Sequence, residues 1–286
     1  MLLTLSLICG LATTAFVDAQ ITLGTAGQYG VFAATTITST GSTEITGKIG
    51  LSPGTSITGF PPGINTGMDI SNEAATAAKQ DIQSAYSSLV ALPVDTDLTG
   101  QDLGGMTLTP GVYGFSSSGG LTGTLVLDGQ GDQNALFVFK FGSTITTATS
   151  SSVVLTNGAQ SCNVYWQVGS SATLGTNTAF VGNVIAQTSI TATTDVTVSD
   201  GGLYALSAAV TLDTNTINPA GSCGGVASRA TIPTTVLTTI PSTSDSTPIA
   251  SPTGASESSN DWDSWSSAPS STIKARAFRD YGRMFQ

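Results

Sequence analysis

The sequence predicts a mainly β protein, an irregular β-solenoid with one long α-helix lying along it. Three observations carry that prediction. Short apolar runs of four to seven residues recur between Gly, Asn, Asp and Pro. A Thr-x-x-Thr pattern returns four times in the second half of the chain. Only one segment, residues 68–93, has the three-and-four periodicity of an amphipathic helix.

The first residues, MLLTLSLICGLATTAFVDA, form a short apolar run ending in Val17-Asp18-Ala19. That reads as a secretory leader spanning residues 1–19 and cleaved after Ala19, too short to serve comfortably as a membrane span. No later stretch is apolar enough to cross a bilayer. Cys9 departs with the leader, so the even pair Cys162 and Cys223 remains in an oxidising compartment and is expected to bridge. Such a bridge closes a loop of about sixty residues, worth roughly 4 kcal/mol in the chain-entropy picture.

Charged residues are 9% of the chain, with Lys+Arg 8 against Asp+Glu 18 and a pI near 4.1. Typical domains carry about a quarter. Nucleic acid and anionic membranes need a basic footprint, so neither is expected as a partner. With no histidine and two distant thiols, no metal and no cofactor is implied.

The helical segment places Ile70, Ala74, Ala78, Ile82, Ala85, Tyr86 and Leu89 on one face. Asp69 or Ser71 caps its start and Pro93 lies just past its end. Alanine on the buried face allows close approach, so this helix is expected against a sheet.

Strands are expected in "ALFVFKF", "NVYWQVG", "FVGNVIAQ" and "GGLYALS", with Trp166 in the core. The repeat aligns "STITTATSSSVV", "SATLGTNTAFV", "SITATTDVTV" and "AAVTLDTNTI". Its threonines are Thr146 and Thr149, Thr173 and Thr176, Thr191 and Thr194, Thr211 and Thr214, with first members 27, 18 and 20 residues apart. A coil of that length holds three short strands, and stacked coils share a core. Alternation turns Ile145, Thr147, Ala172, Leu174, Ile190, Ala192, Val210 and Leu212 inward. It turns Thr146, Ala148, Thr173, Gly175, Thr191, Thr193, Thr211 and Asp213 outward. The second Thr of each pattern falls an odd step away, either inward with its hydroxyl bonded or at a corner where alternation breaks.

A threonine ladder can be purely structural, because Thr is a good strand former and stacked Thr pairs hydrogen-bond. Two features point further. The outward set lacks Lys, Arg and Glu, the usual protectors of exposed strands. Small side chains on a regular lattice also make a flat surface, which suits a repetitive solid partner.

The body resembles the ice-binding protein family of fungi, bacteria and algae. The carriers are "LGTAGQYGVFAATTIT", "TGKIGLSPGTSITGF", the Ala-rich helix, "DLGGMTLTPGVYGF", "LVLDGQGDQNALFVFKFGSTITT" and "NVYWQVGSSATLGTNTAFVGNVIAQTSIT". They extend from about Ile21 to Asn218. The resemblance implies a discontinuous, roughly triangular β-helix with one long helix alongside, in a secreted, fungal-type member. It also implies adsorption to ice through a flat face, thermal hysteresis and inhibition of recrystallisation, as a monomer. The family's T-A/G-x-T/N motif is matched by Thr191-Ala192-Thr193-Thr194 and by Thr40-Gly41-Ser42-Thr43, so Thr40 and Thr43 join the expected face.

The expected organisation is therefore a leader over residues 1–19, an ice-binding body over 20–223, a Ser/Thr/Pro-rich linker over 224–271 and a basic tail over 272–286. Two rivals stand beside ice. Solenoid hydrolases and lyases need clustered carboxylates or a basic residue in a groove. The nearest candidates, Asp195, Asp200 and Asp213, read more simply as turn residues or isolated surface acids, so no enzyme is expected. A cell-wall or adhesin module for polysaccharide also suits a flat face, but would favour exposed aromatics, and the expected face has none.

Overall fold

Coils of three parallel strands stack into a three-sided prism. The computed structural model describes residues 21–219, with the backbone of two short strands, Thr14–Ala15 and Thr234–Thr235, that pair antiparallel. The chain clusters into units 1–237 and 238–286, and the second lies outside the described residues. So do the expected leader (its two-residue strand apart), Cys223, most of the linker, and the basic tail.

The first side of the prism is a nine-stranded sheet. It runs Met68–Ile70, Lys48–Leu51, Tyr29–Ala33, Leu203–Ala205, Asn183–Ala186, Val164–Val168, Phe137–Phe141, Gly111–Phe115 and Thr96–Asp97. The second side has seven strands: Gly119–Leu121, Ile145–Thr147, Ala172–Leu174, Ile190–Thr194, Val210–Asp213, Thr36–Thr40 and Ser56–Thr58. The third also has seven: Glu44–Ile45, Thr216–Ile217, Thr197–Ser199, Ala179–Val181, Ser152–Thr156, Thr124–Asp128 and Thr107–Leu108. The stacking order is not the chain order. Residues 29–45 form a coil that sits on the coil of residues 203–217, through Val31 opposite Leu203, Thr38 opposite Thr211 and Glu44 opposite Thr216. The β-helix is thus discontinuous, and the helix α1, Glu73–Ala91, carries the chain between the break's two sides.

One core fills the prism. Its inward residues alternate with outward ones along each strand, and aromatic rings stack coil on coil. Phe139 lies 4.2 Å from Trp166 and Trp166 4.6 Å from Phe180, centroid to centroid. Trp166 is fully buried and its Nε1–H donates to Val181 O at 2.9 Å. The inward set expected from the repeat is buried throughout. Thr147, its one polar member, shares a 2.9 Å hydroxyl bond with Thr178 and accepts Gly175 N–H at 2.8 Å.

A second core lies between the nine-stranded sheet and α1. Ala75, Ala78, Ile82, Ala85 and Leu89 form one cluster with Phe32, Val138, Tyr165, Ile185 and Tyr204, joined by Ile21, Leu23 and Ala26 from the segment before the first coil. At about 1.5 Å per residue the 19-residue helix is about 28 Å long, some six strand spacings. The helix was expected to start earlier. Ile70 instead ends an edge strand and is 37% exposed, and Ala74 is exposed, with Ala75 taking its place. The cap is Asn72, whose Oδ1 accepts Ala75 N–H at 2.8 Å, rather than Asp69 or Ser71. Asp69 is occupied otherwise, accepting from Tyr29 Oη at 2.7 Å, Asn72 Nδ2 at 2.9 Å and Lys48 Nζ at 3.2 Å. Ser71 stands at a φ of 47°, turning the chain from strand to helix. The run "FVGNVIAQ" is two strands, because Gly182 at φ 91° turns the corner between them.

Candidate functional site

The outward positions of the second sheet make one continuous row. Gly120, Thr146, Thr173, Thr191, Thr211, Thr38 and Thr58 are consecutive register partners. Six threonines therefore stand in line at the sheet's strand spacing, about 4.7–4.9 Å. Thr38, Thr58, Thr146 and Thr211 are exposed, and Thr173 and Thr191 half-buried by their neighbours. Inward residues Ile37, Ile145, Ala172, Ile190 and Val210, all buried, anchor the row from below. Thr38 and Thr58 were not anticipated, since they lie in N-terminal coils far away in sequence. The available signal was "TITST" and "SIT", in which a hydroxyl residue flanks Ile37 and Ile57 on both sides.

A second row runs along the corner. It holds Ala148, Gly175, Thr193, Asp213 and Thr40, all half-buried or exposed. Gly175 is required here by close approach: a Cβ would lie 2.5 Å from Thr147 O and 2.9 Å from Ala148 backbone. The register slips between Ala192 and Thr194, so that Thr194 rather than Thr193 faces Asp213. Thr193 uses the extra step to donate to Leu174 O at 2.9 Å and to contact the Thr176 hydroxyl at 3.3 Å.

The second threonines of the four patterns occupy corners. Thr149 is exposed and Thr176, Thr194 and Thr214 are half-buried, so all four reach the surface where alternation breaks. Asp195 and Thr214 carry left-handed φ values of 59° and 53°. Asp195 is exposed in the turn just past strand Ile190–Thr194.

One expected surface residue is not on the surface. Thr43 is fully buried. Its hydroxyl oxygen accepts from Ser39 Oγ at 2.7 Å and from Asn215 N–H at 3.2 Å. The turn at Gly41, φ 68°, swings the chain round the corner, and Thr43 satisfies the backbone of the neighbouring coil instead of facing outward.

Asp213 is the acid of the face. Its carboxylate accepts from the hydroxyls of Thr194, Thr40 and Thr214. Those bonds, Thr194's first, hold its carboxyl below the ordinary carboxylate range.

The third sheet offers a contrast. Its outward row is Thr124, Ser152, Ala179, Thr197, Thr216 and Glu44, and Val154 beside it is 42% exposed. It mixes side chains and ends on a charge. The nine-stranded sheet is covered by α1. Among the described residues no three His, Cys, Asp or Glu side chains gather to hold a metal, and no helix is long and apolar enough to cross a membrane. Cys162 is disulfide-bonded, and Cys223 lies outside the described residues.

A family profile described as Ice-binding-like matches residues 31–218. An ice-binding protein of Nostoc sp. (strain HG1) is 54% identical over 199 residues, covering 69% of this chain and 74% of that protein. The crystal structure of an ice-binding protein from the Antarctic ascomycete Antarctomyces psychrotrophicus superposes with a TM-score of 0.69 at 44% identity, over 71% of this chain and all of that one. An ice-binding protein from an Antarctic biological consortium gives 0.68 at 44% identity, over 74% of this chain and 96% of that one. The similarity thus reaches a cyanobacterial and a fungal protein alike.

Proposed function

The chain belongs to the Ice-binding-like family, and from that premise we propose that it adsorbs to ice through its second sheet and so slows ice growth and recrystallisation. The observation that carries the choice of face is the in-register row of six threonines, free of long charged side chains. The row presents methyl groups and hydroxyls on a repeat set by the backbone. The methyls give shallow apolar relief, and the hydroxyls hold water at fixed positions. Each contact is weak. They add because the scaffold is rigid before it meets the crystal, so little ordering entropy opposes adsorption. Adsorbed molecules leave the front to bulge between them, and a curved front grows less readily.

This role needs no catalytic group, and no enzymatic activity is part of it. A polysaccharide partner would call for aromatic platforms, whereas the exposed large hydrophobics among the described residues are the aliphatic Ile64, Met68, Ile70, Val90, Val94 and Val154. The protein is exported by its leader, loses residues 1–19 and acts outside the cell as a monomer. A Cys162–Cys223 disulfide closes the body, residues 224–271 are a spacer and residues 272–286 a basic tail.

The test measures thermal hysteresis and ice recrystallisation for the full chain, then for Thr191→Tyr and Thr211→Tyr. Activity in the parent and loss in both variants is the expected result. A parent that leaves freezing unchanged sinks the function. Full activity in both variants moves the face to another side of the prism.

A further inference from the structure

We infer that Asp213 is a positioning residue of this face: one carboxylate gathers hydroxyl protons from three coils and so fixes the rotamers and the hydrogen-bond polarity of the threonines around it. The inference rests on the second sheet being the ice face. The three donors come from different coils. Thr194 belongs to strand Ile190–Thr194, Thr214 follows the Asp213 strand itself, and Thr40 ends strand Thr36–Thr40. Thr194 donates to Oδ2, while Thr40 at 2.9 Å and Thr214 at 3.2 Å donate to Oδ1.

The place matters. Strands Thr36–Thr40 and Val210–Asp213 meet where the coil order breaks from the chain order, so the carboxylate ties the corner row together across that seam. The site is built for it. Asp213 N–H is held by Asn215 Oδ1 at 2.7 Å, and Asn215 Nδ2 is held by Thr193 O at 2.6 Å. Gly41 leaves the room, since a Cβ there would lie 2.2 Å from Thr214 Oγ1. None of the described lysines supplies the balance: Lys48 pairs with Asp69, Lys79 donates to Ser52 O, and Lys140 to Val90 O and Leu92 O. The other charged groups nearby are acidic. Asp195 donates its N–H to Asp213 O at 3.2 Å, and Glu44 donates its N–H to Asn215 O at 2.7 Å; both side chains are exposed.

A hydroxyl has one proton. Where that proton is given to Asp213, the oxygen turns only lone pairs outward. This margin of the face then accepts from lattice water and does not donate to it. A carboxylate whose oxygens are already occupied also disturbs surrounding water less than a bare one.

The test uses Asp213→Ala and Asp213→Asn in the full chain, with Thr191→Tyr as the reference and thermal unfolding as the fold check. Asp213→Ala is expected to lose hysteresis several-fold while still unfolding cooperatively, at a somewhat lower temperature. Asp213→Asn keeps contacts with Thr194 and Thr40 but must donate to one of them, which turns that hydroxyl round, so its hysteresis falls while its fold holds. Parent hysteresis should also fall once pH drops below the ordinary carboxylate range, and that of Asp213→Asn should stay level. Full hysteresis in Asp213→Asn, or in a folded Asp213→Ala, beside an inactive Thr191→Tyr, overturns this inference and leaves the ice face standing. Full hysteresis in Thr191→Tyr as well overturns the ice face itself. If the Ala variant does not fold, the Asn variant alone decides.

Discussion

Two sides of the prism share a backbone lattice and carry opposite outer surfaces. On the nine-stranded sheet the outward residues of successive coils include Val138, Tyr165, Ile185, Tyr204 and Phe32, and α1 covers them together with Ile21, Leu23 and Ala26 of the segment before the first coil. On the second sheet the corresponding residues are Thr146, Thr173, Thr191, Thr211 and Thr38, and the row is open. Inside, both sides feed the same core. The outward residue of each coil thus decides whether a side recruits a helix or stays bare. The stability of the molecule is concentrated on the covered side and in the core. The open side is proposed to work on something outside the molecule.

That division can be broken at graded cost. Trp166→Ala removes the ring at the centre of the core stack and should destabilise the protein by about 3–5 kcal/mol in a denaturant titration. Ile82→Ala opens a cavity under α1 and should cost about 2–4 kcal/mol. A cost as small as that of a surface change would mean the covered side is not the stabilising one.

High pH separates the sides further, whereas low pH reaches both. Burial raises the phenols of Tyr204, Tyr29 and Tyr165, the last to about 12, and all three lie on the covered sheet. A folded-state value above the unfolded one gives stability that is complete below the ordinary tyrosine range and lost as pH climbs through it and on toward the raised folded value. Unfolding temperature should therefore fall in alkali, and less steeply in Tyr204→Phe, which cannot ionise there. Asp69 and Asp213 are depressed, chiefly by Asn72 and Tyr29 for the first and by Thr194 and Thr40 for the second. Their contribution is complete above the ordinary carboxylate range and lost as pH falls through it and below. Asp69→Asn should flatten the acid limb of the unfolding-temperature profile.

The smallest expected effect on stability belongs to Thr191→Tyr, within about 0.5 kcal/mol, because the site is outward and its inward neighbours are untouched. The same change is expected to abolish hysteresis. Stability and hysteresis falling together at this position would mean the two sides are not separable.

Much of this was legible in sequence, for a local reason. Strand alternation is a two-residue rule, so Ile190 and Ala192 could be turned inward and Thr191 outward without coordinates. The α-helix was legible by its period, but its start was not. Ile70 fits the helical period and also pairs with Leu51 as a strand, and the pairing wins. Thr43 fits a surface motif by spacing, but motif spacing carries no information about the turn at Gly41 that buries it. Thr38 and Thr58 could not be placed in the row from local pattern alone. Thr211, the register partner of Thr38, is 173 residues from it in the chain, and nothing local announces that contact.

That last contact sets the order of assembly. Strand Tyr29–Ala33 emerges early but pairs on one edge with Leu203–Ala205, among the last strands of the body. Until the chain has wound through every intervening coil, one side of the first coil has no neighbour. Closure over such distances pays the loop entropy first and gains the contacts last, which makes folding slow. The growing chain must hold an unpaired β edge in the meantime, a ready template for pairing with another copy. The edge of strand Tyr29–Ala33 is therefore covered only when the last coil of the body is in place, so the first coil is complete only in the finished fold.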